Sequence, residues 1–150
     1  MRLPSLAIAK KDARFAAGVL LRRPFQVLLQ VTNRCNMECS FCDFWPHPAP
    51  PSQELSVAEF ARIAQELSQK GCFLVSIEGG EPLCRPDIVE IVRAFSAAHV
   101  STLFTNGYYV TADKARALFD AGLVHACVSI DYATASRHDR KRGIQGATER

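Results

Sequence analysis

The chain has 150 residues, 48% hydrophobic and 22% charged, with a formal net charge of +3. This is ordinary globular composition, with no sign of disorder, at one domain's worth of length. The mild charge is no basis for nucleic-acid binding, and no apolar run approaches the roughly 20 residues of a membrane span.

Residues 1–24 read as a leader helix. Leu6, Ala9, Ala13, Ala16 and Leu20 recur at helical spacing with Lys10, Lys11 and Arg14 between them, and Arg22-Arg23-Pro24 ends the pattern. Those charges interrupt the apolar stretch that a secretory signal needs. A basic amphipathic helix can lie on a membrane surface; packing against its own domain is the commoner use and the one expected here.

Residues 25–150 follow a strand–helix rhythm. Val27–Val31 is a short apolar run expected as a buried strand. The cysteine-bearing stretch comes next, then a loop from Asp43 to Leu55 stiffened by Pro46, Pro48, Pro50 and Pro51. Ser56 and Glu59 form a capping box ahead of a helix carrying Phe60, Ile63, Ala64 and Leu67, closed by Lys70-Gly71. A second strand is expected over Phe73–Ile77, and a helix opened by Pro86 with Ile88, Ile91, Val92 and Phe95 on one face. Val100–Phe104 is the third strand, Thr111 starts a helix that stops at Gly122, and Val124–Ile130 is the fourth. Strands alternating with helices mean an α/β fold of parallel βαβ units with right-handed crossovers, its sheet covered on at least one face and packed on the other.

Six cysteines are present, three of them in the C-x3-C-x2-C run Cys35, Cys39, Cys42. Three thiolates leave one iron of a four-iron cubane without a protein sulfur, open to another ligand. Structural zinc is the rival; it needs a fourth ligand, for which His47 is available, and its ligands normally pair as C-x2-C. Cys72, Cys84 and Cys127 are dispersed beside strands and read as small core residues. One metal site in a reducing cytoplasm accounts for this usage better than a disulfide framework.

Each polar motif directly follows or ends a strand. The cysteine loop follows the first, Glu78-Gly79-Gly80-Glu81-Pro82 the second and Thr105-Asn106-Gly107 the third, while Ser129-Ile130-Asp131 ends the fourth. The carboxyl ends of parallel strands share one rim, so these motifs converge across about 100 residues of sequence. Singly they are weaker. Gly79-Gly80 and Asn106-Gly107 also suit plain turns, Glu81 a surface carboxylate, Ser129 a strand-end hydroxyl, and Phe41 a core aromatic.

From about Val27 onward the chain resembles the radical S-adenosylmethionine (SAM) core. Cys35-x3-Cys39-x2-Cys42 with Phe41 matches the cluster motif, and Gly79-Gly80-Glu81-Pro82 matches the motif that meets the SAM amino group. Thr105-Asn106-Gly107 and Ser129-Ile130-Asp131 are similar to motifs associated with the SAM ribose and methionyl moieties. His138-Asp139-x-x-Arg142-Gly143-x-x-Gly146 resembles a segment whose arginine, here Arg142, meets the SAM carboxylate. A solvated basic loop with Arg137, Arg140 and Lys141 stays open for that segment.

The resemblance implies a [4Fe–4S] cluster on Cys35, Cys39 and Cys42, SAM on the open iron, and Phe41 covering one or the other. Gly79, Gly80, Glu81, Asn106, Ser129, Asp131 and Arg142 would bind SAM. It implies reductive cleavage of SAM to a 5′-deoxyadenosyl radical that abstracts hydrogen from substrate, with no catalytic residue assignable beyond the cluster ligands. It further implies an electron donor such as flavodoxin or ferredoxin, and a peptide or small-molecule precursor as substrate in the style of SPASM-type maturation enzymes. The implied fold is a partial TIM-like barrel, of which the chain carries the first four of six β/α units, with residues 146–150 opening the fourth helix. An N-terminal portion of a longer enzyme is therefore expected, with an aggregation-prone edge at strand four. The alternative is a non-catalytic iron–sulfur or SAM-binding module, or half of a split enzyme.

Overall fold

In the computed structural model, which describes residues 6–149, four parallel strands form one sheet in the order β1-β2-β3-β4. They are β1 (Gln26–Thr32), β2 (Leu74–Gly79), β3 (Val100–Thr105) and β4 (His125–Val128). Leu29, Ile77, Leu103 and Ala126 lie side by side in register, so each strand continues the same apolar row. The crossovers carry α2 (Val57–Lys70), α3 (Ile88–Ser96) and α4 (Ala112–Asp120). A sheet whose strands run in chain order with crossovers of one hand places those helices on one side.

That side is the core. Val31, Val75, Ile77 and Leu103 pack with Phe60, Ile88, Ile91, Val92, Phe95 and Leu118, all buried. Alternation is clear in β1, where Leu29 and Val31 are buried while Leu28 and Gln30 are exposed. The opposite face, with Leu28, Gln30 and Phe104, is open among the described residues, so the sheet is covered on one face only.

The helix signals hold at α2, where the Ser56–Glu59 capping box is complete, and at α4, where Thr111 accepts from the Lys114 amide at 3.2 Å. Five expectations are corrected. Phe73 lies outside β2, buried, with its amide on His99 Nδ1 at 3.3 Å. Pro86 does not open α3; the chain first makes a 3-10 turn over Pro82–Cys84, and Pro86 lies in the turn before the N-cap position, Asp87, whose carboxylate is taken by Arg85. The fourth strand is shorter at both ends than Val124–Ile130. Residues 146–148 are turn rather than helix, and the polar segment before them is a helix, α5 (Ala135–Arg142), ended by Gly143 in the left-handed conformation.

The last correction is the leader. A helix forms as expected, α1 (Leu6–Leu20), the first five residues of the expected segment lying outside the described residues. It turns a different face inward. Ala9, Ala13, Ala16 and Leu20 are exposed, whereas Lys11, Phe15 and Gly18 are half-buried. Lys11 and Arg14 donate to the Ser96 and Ser68 carbonyls at 3.3 and 2.6 Å, and Phe15 meets Phe25 edge-on at 6.4 Å. Cations satisfy the free carbonyls at the ends of α3 and α2, a better use of this face than alanines, which offer little area to bury. The leader thus packs on its own domain, at the pole opposite the strands' carboxyl ends.

Candidate active site

The cysteine loop is anchored before its first cysteine. Arg34 donates to Glu54 through Nε and Nη2, both at 2.9 Å, and the Thr32 hydroxyl donates to the same carboxylate. Arg85 reaches Glu54 at 3.4 Å, the Val31 carbonyl at 2.9 Å and Asp87 at 2.7 Å, with its guanidinium over the Phe60 ring. Burial alone would raise the Glu54 pKa, but the hydrogen bonds from Arg34 and Thr32 and the charges of both arginines hold it below the usual carboxylate value. Asn33 and Trp45 complete the clamp. The Asn33 amide group bonds His47 O and the Ala49 amide at 2.6 and 2.7 Å, and Trp45 Nε1 donates to the Cys39 carbonyl at 3.0 Å. The proline-stiffened loop is thus the cysteine loop's buttress.

Gly79 and Gly80 are needed by that same limb. Gly80 N donates to Thr32 O, and Glu81 N to Arg34 O, both at 2.8 Å. A Cβ on Gly79, at φ +143°, would stand 2.1 Å from Thr32 O, and one on Gly80 would stand 2.4 Å from Arg34 O. The glycine pair lets the two loops' backbones touch.

Glu81 departs from a surface carboxylate. It is fully buried, and its oxygens accept from Leu83 N (2.9 Å), Thr105 Oγ1 (2.8 Å) and Asn106 N (2.7 Å), which joins the loops after β2 and β3. Burial nevertheless pushes its pKa up against these bonds. Asn106 in turn donates to Asn36 Oδ1 at 2.9 Å and lies 3.9 Å from Cys35 Sγ.

The fourth wall is α5. Ser40 N donates to Lys141 O at 3.2 Å, Cys39 Sγ meets Arg142 O at 3.7 Å, and Gly143 is pressed so closely on Glu38 that a Cβ would stand 2.5 Å from its carbonyl oxygen. Arg142 is buried. Its Nε lies 2.8 Å from Asp131 Oδ2, close enough to pair in charge, yet is not aligned for a hydrogen bond and has no other partner. Its Nη2 is 3.4 Å from Ser129 O, and its guanidinium sits 5.5 Å from the Phe41 ring centre. Phe41 is no core aromatic, being 53% exposed.

These walls enclose a cavity of about 220 Å³ at the carboxyl ends of the strands. Cys35, Cys39, Cys42, Phe41, Gly79, Gly80, Asn106, Ser129 and Arg142 all line it. Glu81 and Asp131 do not; they brace residues that do. Burial pushes the Cys35 and Cys39 thiols up, offset in part by the Met37 amide on Cys35 and by Arg142 beside Cys39. Cys84 is pushed up to about 11, first by burial and then by the charges of Glu81 and Cys35.

Sequence reasoning missed Glu54. It is a single acid in a proline-rich loop, and nothing local marks it as the partner of two arginines 20 and 31 residues away. Arg85, three residues past Pro82, carried no assigned role.

The donor set suits a cluster better than a single ion. Among the described residues no three Cys, His, Asp or Glu groups converge as one metal ion requires, and His47 is exposed. Three thiols lining one cavity suit ligation of separate irons. The Arg142 guanidinium on the wall of the same cavity fits a carboxylate-bearing ligand beside them.

The model of the Radical SAM superfamily matches residues 29–150. The chain belongs to the radical SAM superfamily. Among radical SAM relatives it is 36% identical over 124 residues to the PqqA peptide cyclase of Rhodopseudomonas palustris, covering 82% of this chain and 33% of that protein. It is 36% identical over 128 residues to the AdoMet-dependent heme synthase of Methanosarcina barkeri, covering 85% of this chain and 37% of that protein. The chain therefore spans about a third of the length of these relatives. In fold it is similar to Streptococcus suis SuiB bound to precursor peptide SuiA (TM-score 0.73, 20% identity, 94% of this chain and 32% of that one). A SuiB structure bound to S-adenosylmethionine gives a TM-score of 0.72 at 18% identity, over 97% of this chain and 36% of that one. The four-strand open sheet is the partial TIM-like radical SAM architecture that the sequence implied.

Proposed function

We propose that this radical SAM chain holds a [4Fe–4S] cluster through Cys35, Cys39 and Cys42 and binds SAM against the iron they leave free. The observation that carries this reading is the single cavity shared by those thiols, the glycine pair and Arg142. When bound, the cluster supplies one electron that splits SAM into methionine and a 5′-deoxyadenosyl radical, which abstracts hydrogen from substrate.

The chain's residues bind and orient. Carbonyls of the Gly79–Gly80 turn accept from the SAM amino group, and the Arg142 guanidinium, which lines the cavity, meets its carboxylate. Asn106 and Ser129 hold the polar groups between, and Phe41 covers the ring of the nucleoside or the cluster. Glu81 and Asp131 are positioning residues, one tying the loop after β2 to that after β3, the other fixing the Arg142 side chain. The likeness to a peptide cyclase and to a fold solved with a precursor peptide favours a peptide as the substrate class. An external one-electron donor of the flavodoxin or ferredoxin kind completes the reaction. A cluster and thiols that need reducing conditions fit the cytoplasm, and no helix among the described residues is long and apolar enough to cross a membrane.

Anaerobic reconstitution tests this. The chain is expected to take up iron and sulfide in equal amounts and, with dithionite and SAM, to release 5′-deoxyadenosine. Cys35→Ser, Cys39→Ser and Cys42→Ser are expected to lose the iron, whereas Cys127→Ser keeps it. Uptake of zinc without sulfide would overturn the proposal. A loaded chain that binds SAM but never cleaves it would make this a binding module.

A further inference from the structure

We propose that the outer face of α5, together with Phe41, is the surface on which an acidic one-electron donor protein docks; this rests on the cluster reading above. Arg137, Arg140 and Lys141 flank, with Ser40 and Tyr132, a cleft of about 360 Å³ beside the cysteine loop. Among the described residues none of these three cations forms an ion pair. The surface arginines of α2, α3 and α4 differ. Arg62, Arg93 and Arg116 each face an acid three or four residues away on their own helix. The unbalanced charge of α5 is therefore local and directed outward, since the one acid on the helix, Asp139, is turned to the Gly146 amide at 2.7 Å.

Position singles out this patch. α5 is bolted to the cysteine loop through Ser40 N on Lys141 O and Cys39 Sγ on Arg142 O. The cations are held over aromatic faces, Arg137 4.5 Å from the Tyr132 ring centre and Lys141 4.9 Å from that of Phe41. Phe41 links patch and cavity, lining the cysteine cavity while its ring carries Lys141 of the patch, and it is 53% exposed. A donor seated here meets Ser40, the residue next to Cys39 in the chain. The leader helix carries further cations, but it lies at the opposite pole of the sheet, on the Ser68 and Ser96 carbonyls. Exposed acids lie nearby as well: Glu38 and Asp43 in the cysteine loop, Asp131 beside Tyr132 and held by Arg142, and Glu149 in a hollow shared with Arg140; they temper the field, yet none pairs any of the three cations. The electron count is simple: the donor is oxidised by one electron and the bound cluster reduced by one.

Stopped-flow reduction of the loaded chain by reduced flavodoxin, an acidic protein, tests the surface. The triple variant Arg137→Glu, Arg140→Glu, Lys141→Glu is expected to lower the second-order rate constant by about 10-fold or more at low ionic strength, and to abolish its fall with added salt. Dithionite is expected to reduce both proteins to the same extent, and Lys114→Glu on α4 to change nothing. If charge reversal prevents loading, the glutamine triple variant replaces it, with a smaller loss in the same direction. Equal rates for parent and variant, or a parent insensitive to salt, would overturn the proposal. So would substitutions that weaken binding of an acidic peptide while sparing reduction, since the surface would then belong to the peptide. A parent that assembles no cluster fails the reading beneath; a loaded parent reduced without regard to these charges fails the docking surface alone.

Discussion

The Glu81 amide donates to the carbonyl of Arg34 across 2.8 Å, immediately before Cys35. With Gly80 N on Thr32 O it makes the loops after β1 and β2 one backbone unit, so the thiols and the glycine pair cannot move independently.

Gly79→Ala and Gly80→Ala test that unit. Each added methyl meets a backbone oxygen that cannot rotate away, and Gly79 also loses its positive φ. A destabilisation of about 1–3 kcal/mol is expected for either, with iron retention lost before the fold is. Thermal melting beside iron analysis checks it; an iron-replete Gly80→Ala chain of parental stability would show that the contact has slack.

Glu54→Gln leaves Arg34 and Arg85 facing a neutral partner. Removing one member of a buried pair costs about 3–5 kcal/mol, and with Arg34 26% exposed a loss of about 2–4 is expected. Arg62→Ala, which breaks an exposed pair on α2, is expected to cost less than about 0.5 kcal/mol. Denaturant midpoints of the two variants decide it.

These two cases mark what was readable beforehand. The strands were legible because Val27, Leu29 and Val31 or Val75 and Ile77 make apolar runs, and α2 because its capping box is local. The convergence of Cys35, Gly80, Asn106 and Ser129 followed from each motif's place after a strand. Glu54 was not legible, because an ion pair spanning 20 residues has no period. Nor was α5, whose sequence Ala-Ser-Arg-His-Asp-Arg-Lys-Arg has no apolar stripe. It is held by tertiary bonds and by Gly143. In α1 small alanines misled, and the inward face is carried by Lys11, Phe15 and Gly18.

Arg142→Lys probes the wall opposite the glycines. Lysine keeps the charge but not the planar fork, so weaker SAM binding, about 10-fold, is expected at unchanged iron content. Titration of the loaded chain with SAM, followed by the electron paramagnetic resonance signal of the reduced cluster, measures it. Unaltered affinity would remove Arg142 from the SAM site.

His99 predicts acid lability. It is fully buried, its Nε2 3.0 Å from Ala64 O and its Nδ1 accepting from Phe73 N, an arrangement that only the neutral ring satisfies. Burial lowers its pKa below the usual 6.5. Between the folded and unfolded values the unfolded chain binds more protons, so stability rises with pH there and falls as pH drops below about 6.5. Glu54 adds a separate loss at lower pH, as its depressed pKa is approached. His99→Gln is expected to cost about 1–2 kcal/mol at neutral pH and to flatten the first slope while leaving the second. Melting temperature against pH resolves the two.

The contact between Cys39 and the Arg142 carbonyl spans 103 residues. At roughly 5–20 residues per second of synthesis, the thiols leave the ribosome about 5–20 s before the helix that walls them in. Through that interval the cysteines are naked, and iron delivered then would meet a chain able to present sulfurs but not yet to retain a cage around them. A cluster of the proposed kind would therefore be retained only once α5 has been made.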